Sequence, residues 1–386
     1  MNLHDFLSHR DIQLPLCWNE TNDFHRFLRE RLGHFCKMIS ELDAGIVADR
    51  VKPRMSAINK CCDYVIRSVE YSLKGYLYEA FELLDKAVRE VLDELKRMEA
   101  QWDTDERLLY RVRRTSTPML QREELFHIPF EKRHEVPQHR YSIPGLPCLY
   151  LSGSLYTCWE EMGRPPFHEL QVSAFWRKKQ INMLHLNVIP SELLRWVTAN
   201  DIVEPPNPSI TKPFLEGWIY CGLVLWPLIA SSSIIVRHRD SPFKPEYLVP
   251  QMLLQWVRRN GDFDGICYSS TNVQVTSPEY PLAVCNYVFP ATVIKPVGRC
   301  ENLCSLFKMT KPYGWQLLRA AQVGDRVSNV AAAWFRIELI EGLEEQYADS
   351  EFGEIEAKLR KLADMTKKKN ESGEPDVGDI RSEGKI

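Results

Sequence analysis

The chain has 386 residues, 44% hydrophobic and 26% charged, which excludes a fibrous or low-complexity protein and leaves room for two domains or one extended domain. Its 49 basic and 52 acidic residues give a net charge of −3, so the overall field offers no reason to expect nucleic acid or an anionic membrane as partner. A small phosphorylated ligand stays open, because it needs only a local arginine pocket.

The first hundred residues read as helices. TNDFHRFLRERLGHFCKMISEL carries Phe24, Phe27, Leu28, Leu32, Phe35 and Met38 close to helical spacing, and Pro53 marks the break that follows. INKCCDYVIRSVEYSLKGYLYEAFELLDKAVREVLDELKRM is divided by Gly75 into two amphipathic helices, the second rich in Glu/Lys pairs at i,i+4. A helical bundle over 1–104 is the expectation.

From Leu108 the texture changes. LLYRVRR is a short alternating strand, and LPCLYLSG is a second after a Pro-Gly turn. LQVSAFWRKKQINMLHLN reads as two strands joined by a basic turn. SELLRWVTAN reads as a helix with Ser191 as N-cap. GWIYCGLVLWPLIASSSIIV has the length of a membrane span, but Pro227 interrupts it and the serine run separates its halves. A buried helix followed by a central strand, IIV, is the expectation there. PEYLVPQMLLQWVRRNG is another helix, ended by Gly261, and FDGICYSST and AVCNYVFP are strands. Beyond Lys311 the chain reads as helical again through WQLLRAAQVGDRVSNVAAAWFRIELIEGLEEQ and EIEAKLRKLADM. The tail, TKKKNESGEPDVGDIRSEGKI, is too poor in large apolar groups to expect a fold. The expected class is α+β, with blocks at 1–104, 105–310, a helical extension over 311–365 and a disordered tail over 366–386.

Cysteine usage bears on compartment. The 11 cysteines form no CxxC pair, which argues against a zinc ribbon or a thioredoxin-like motif. Most stand among apolar neighbours, where a reduced thiol acts as a small hydrophobe. With the polar start MNLHDFLSHRD, which lacks a signal-peptide pattern, they point to the cytoplasm.

One stretch, HRYSIPGLPCLYLSGSLYTCWEEM over 139–162, gathers chemistry that neither a core strand nor a plain surface loop requires. Arg140 offers a fork for a phosphate, Tyr150 a face for a flat heterocycle, and Glu160 or Glu161 a carboxylate to stabilise developing positive charge or orient an attacking oxygen. Those are the requirements for cleaving a nucleotide N-glycosidic bond. Taken singly, each has an ordinary reading: Tyr150 as a strand residue, Arg140 as a solvated loop charge, the glutamates as an exposed helix start favoured by the dipole.

Taken together and in order, the segments resemble the RES-domain family. RYSIPGLPCLYLSGSLYTCWEE is similar to its core motif, LLYRVRR to its first strand with Arg111, and FDGICYSST to its Asp-Gly-aliphatic-x-Tyr-x-Ser segment with Ser270. KPEYLVPQ and CNYVFP resemble further family segments, so the resemblance covers about residues 105–300, and the helical N-terminal region resembles the HEPN-like extension of long members. The resemblance implies an ADP-ribosyltransferase-like fold and consumption of NAD+ at the nicotinamide–ribose bond, by hydrolysis, phosphorolysis or transfer to a protein. Many members are toxins paired with a DNA-binding antitoxin. Arg111 and Arg140 would grip the NAD+ phosphates and Tyr150 would pack on the nicotinamide or its ribose. Glu161 would stabilise the oxocarbenium-like transition state or position the nucleophile, and Ser270 would bond the nicotinamide side. NAD+ is substrate rather than cofactor, and no metal is implied, because nicotinamide leaves as a neutral molecule.

The chain departs from the short members at His139 and Cys158. Glu160 competes with Glu161, Ser269 with Ser270, and Arg113 with Arg111. Arg29 and His34 match the R-x4-H pattern of HEPN ribonucleases, but such a match arises readily by chance. Cys300 and Cys304 read as packing residues. Expected partners are NAD+, an antitoxin or regulatory protein, and a second copy of the chain; a non-catalytic interaction module is the rival.

Overall fold

The structure is a computed structural model that describes residues 1–19, 23–102, 107–119, 121–199, 201–203, 211–273, 284–321, 336–371 and 378–382. It is a mixed α and β protein, as the interleaved patterns imply. The described strands, in chain order, are β1 (Leu109–Arg114), β2 (Cys148–Ser152), β3 (Leu170–Arg177), β4 (Met183–Leu186), β5 (Gly265–Ser269), β6 (Cys285–Pro290), β7 (Phe307–Met309), β8 (Tyr313–Gly314), β9 (Arg336–Ile340) and β10 (Leu343–Gln346). The chain forms two compact units, and each draws on separated segments.

The first unit comprises 1–103, 139–141 and 183–262. Its N-terminal part is helical as the apolar spacing requires. The helix Phe24–Ser40 starts at Asp23, whose side chain accepts the Arg26 amide, and it buries all six apolar residues of the stripe. The helix Met55–Leu73 ends before Gly75, which takes a left-handed φ of 83°, and Leu77–Glu90 and Leu92–Trp102 follow. At the centre lies Lys212–Ser232, apolar on every side and therefore in need of cover on every side. It is the one described helix long and apolar enough to cross a membrane, and it is almost wholly buried within the protein. Pro227 sits inside it, with the Ser231 hydroxyl donating to the Pro227 carbonyl at 2.7 Å. Trp226 stacks on Phe35 with centroids 4.2 Å apart. The helix Leu248–Asn260 ends at Gly261, in the left-handed region at φ 71°.

The second unit comprises 104–138, 142–182 and 263–386. Its antiparallel strands run in the order β5-β6-β2-β1-β3-β7, with β8 also on β3. Residues opposite one another in such a ladder share a face. Tyr110, Val112, Val172 and Ala174 face a core closed by the helices Leu155–Glu161, Trp315–Ala320 and Glu351–Glu371. On the opposite face Phe175 packs with Phe126 and Phe307, and Phe289 with Phe307. β1 pairs with β3 at six positions but with β2 at one, Tyr110 opposite Ser152, so β1 and β2 diverge beyond that point.

Several expectations are corrected. The compact units cut across the 105–310 block, because 183–262 packs with the N-terminal helices around Lys212–Ser232. IIV makes only an isolated bridge, Leu16 to Ile234, because a sequence-distant segment supplies the pairing. The helix read from Ser191 instead spans Pro190–Leu194, with Pro190 at its first turn, where the missing N–H costs nothing. RIELIEGLEEQ is the β9–β10 hairpin rather than a helix, turned by Gly342 at φ 79°. The last helix runs past residue 365 to Glu371, and 378–382 is ordered: Ile380 is buried, and the Gly378 and Ser382 carbonyls accept the Met309 and Arg299 amides. Backbone pairing there substitutes for the apolar content the tail lacks. The boundary at 104/105, the stretch 322–335 and the remainder of the tail lie outside the described residues.

Candidate active site

The helix Leu155–Glu161 sets the site. Ser154 caps it, accepting the Thr157 amide at 3.2 Å, and Leu155, Tyr156 and Cys158 are buried in the core. This register sends Glu160 and Glu161 in different directions. Glu160 is buried and pairs with Arg164, whose guanidinium also lies over Trp159 at 5.4 Å. Glu161 is exposed, at the last helical position. The helix dipole disfavours a carboxylate there, and the protein supplies donors instead.

Three side chains hold it. The Ser270 hydroxyl donates to Glu161 Oε1 at 2.6 Å, Asn286 Nδ2 to Oε1 at 2.7 Å, and Asn272 Nδ2 to Oε2 at 2.7 Å. Ser270 Oγ also accepts the amides of Asn272 and Val273 at 3.1 and 3.3 Å, which points its proton at the carboxylate. Asn286 is oriented in turn, because its Oδ1 accepts the Ser152 hydroxyl at 2.6 Å. Ser152, Asn286 and Tyr268 are opposite one another across β2, β6 and β5, and half-buried Tyr150 stands two residues from Ser152 on the same face. The result is an accessible carboxylate with a fixed plane, on the sheet face that also carries Tyr150.

Arg111 starts from the other face of the sheet, opposite Ser173. Where β1 and β2 diverge, its Nη1 donates to the Tyr150 carbonyl at 2.8 Å. Burial pulls its pKa down to about 10, with the charge of Arg113 acting in the same direction. Arg113 is turned to the Glu124 carbonyl at 2.5 Å. His127, nearby, is pushed down to about 4, first by burial and then by the Arg299 and Arg111 charges. As a neutral ring it bonds the Ile128 carbonyl through Nδ1 and accepts the Cys300 amide at Nε2.

The structure therefore brings together Glu161 and Ser270, places Tyr150 on their face, and ties Arg111 to the Tyr150 backbone. Arg140 folds with the first unit. It is buried, donates to the Ser232 and Ile234 carbonyls at 3.1 and 2.9 Å, and lies over Tyr247 at 5.4 Å, not as a solvated loop charge. The glutamates end their helix rather than start it. Ser269 is a buried strand residue opposite Cys285. Sequence reading missed Asn272, Asn286 and Ser152; the signal was an amide inside the otherwise apolar strand CNYVFP.

Arg29 and His34 have different surroundings. Arg29 meets His25 and Glu70, whereas His34 pairs with Asp11 and packs against His9. Cys300 and Cys304 are buried free thiols. Among the described residues no group of three or more His, Cys, Asp or Glu is placed to hold a metal ion.

No protein-family profile matches the chain, and no solved structure matches it. The chain is 29% identical over 329 residues, 81% of its length, to the Bacillus subtilis (strain 168) protein named "Putative toxin YopC", of which the match covers 71%.

Proposed function

We propose that the protein is a RES-type enzyme with an ADP-ribosyltransferase-like second unit that cleaves NAD+ between nicotinamide and ribose. The observation that carries this reading is the Glu161 carboxylate, accessible yet held by Ser270, Asn272 and Asn286. Breaking the bond leaves neutral nicotinamide and a ribosyl oxocarbenium, so the site needs a negative charge at a fixed place rather than an acid. Glu161 supplies that charge and orients the incoming oxygen. Water gives ADP-ribose and a proton; phosphate gives the 1-phosphate of ADP-ribose. Tyr150 packs on the nicotinamide or its ribose. Arg111, a half-buried cation, serves the phosphates. The name of the Bacillus subtilis relative supports a toxin role, with an antitoxin or regulatory protein as partner and the cytoplasm as the place of action.

The test is product analysis by proton NMR and chromatography after incubation with NAD+, with and without phosphate. Nicotinamide release supports the reading, and phosphate dependence selects phosphorolysis over hydrolysis. ADP-ribose appearing on added protein instead would select transfer, and intact NAD+ throughout would contradict all three.

A further inference from the structure

The Glu161 helix is held at its start by a residue 201 positions later in the chain. Glu356 lies on the helix Glu351–Glu371, outside the stretch that resembles the RES family, and is 5% exposed. Its Oε1 accepts the Leu155 amide, the first N–H of the helix, at 2.7 Å. The same oxygen accepts the Tyr347 hydroxyl. Tyr110 also faces this carboxyl, with Cys158 from the Glu161 helix and Arg360 from Glu356's own helix close enough to interact by charge.

We propose that Glu356 is a positioning residue for Glu161, acting through the helix Leu155–Glu161 and through Tyr110 on the neighbouring strand. The helix route is direct: the held amide at Leu155 and the carboxylate at Glu161 stand at the two ends of one seven-residue helix, so an error at one end displaces the other. The strand route runs from Tyr110 to its ladder partner Ser152, from Ser152 to Asn286, and from Asn286 to Glu161. Both routes end on the same carboxylate.

Glu356 also gives the positioning a pH dependence. Burial pushes its pKa up to about 7, against the Tyr347, Leu155, Arg360 and Tyr110 interactions, which pull it down. Above that pH an ionised carboxylate holds the Leu155 amide by a charge-assisted bond, and below it the bond weakens. The proposal rests on Glu161 as the working carboxylate of an NAD+-cleaving enzyme, but its test does not need turnover.

The test uses the full chain labelled with 15N at leucine and asparagine, compared with Glu356→Gln. In wild type the Leu155 amide signal shifts with an inflection near pH 7, and the side-chain amides of Asn272 and Asn286 follow it. In Glu356→Gln all three are flat. Tyr347→Phe, which removes one donor and keeps the carboxyl, moves the inflection to higher pH and covers the case in which the glutamine variant does not fold. In turnover, Glu356→Gln lowers kcat about tenfold with KM little changed, and it removes the inflection from the pH profile. A flat Leu155 signal in wild type overturns the proposal. So does a Leu155 titration that leaves the two asparagine signals and the kcat profile untouched, because Glu356 is then structural only. If NAD+ stays intact, the enzyme reading fails by itself and the amide signals still decide the positioning.

Discussion

Ser270 Oγ lies 2.6 Å from Glu161 Oε1, although 109 residues of chain separate them. That contact joins the end of one short helix to the end of β5 and fixes which of two adjacent glutamates faces the site.

The tandem acids should separate cleanly. Glu160→Gln breaks a pair with a half-exposed Arg164, which costs about 1 kcal/mol and a few degrees of thermal midpoint. NAD+ cleavage should stay within a few-fold of wild type. Loss of turnover in a folded Glu160→Gln protein would reverse the assignment.

The donors should matter unequally. Asn272→Ala and Asn286→Ala each leave two donors on Glu161, and a fall in kcat of about tenfold is expected for each. Ser270→Ala removes the hydroxyl and also the acceptor of two backbone amides, so both kcat and thermal stability should drop. Steady-state kinetics beside thermal melts distinguish the cases.

Arg111 and Arg140 should fail differently. Arg111→Met removes a half-buried cation assigned to the NAD+ phosphates, and KM for NAD+ should rise about tenfold or more. Arg140→Met takes the donor from two carbonyls at the end of a buried helix, costing about 2 kcal/mol and roughly 5 °C. A calorimetric scan of both variants beside NAD+ titrations checks this.

Stability should carry the signature of Glu356. Its folded pKa, about 7, is raised from 4.5, so the folded protein holds the proton more tightly than the unfolded chain. That contribution is fully present below pH 4.5 and lost as pH rises through about 7. His127, depressed from 6.5 to about 4, works the other way: its contribution is lost as pH falls below 6.5. The difference between wild type and Glu356→Gln isolates the first effect. That difference, measured by denaturant unfolding between pH 5 and 8, should fall as pH rises to about 7 and level off above it.

Local patterns made much of the molecule legible. The stripe from Phe24 to Met38, the breaks at Gly75 and Gly261, and the strands around Arg111, Tyr150 and Cys267 are local signals of burial and turn chemistry, and they stand where the sequence puts them. The β9–β10 hairpin was read as helix because RIELIEGLEEQ is rich in good helix formers, and only the pairing of Arg336–Ile340 with Leu343–Gln346 overrides that preference. Glu161 and Ser270 were readable as candidates because each stands in a distinctive stretch. Asn272, Asn286 and Glu356 were not, since their roles come from contacts made across more than a hundred residues. The separation of Arg140 into the first unit was likewise invisible, because the stretch that contains it looks continuous with Tyr150.

The most direct measurement of the central claim is a time course of NAD+ by proton NMR with wild type and Glu161→Gln at matched thermal stability. The account predicts nicotinamide release by wild type and a rate lower by on the order of 10³ in the variant. Equal rates, or NAD+ intact with both proteins, would contradict it.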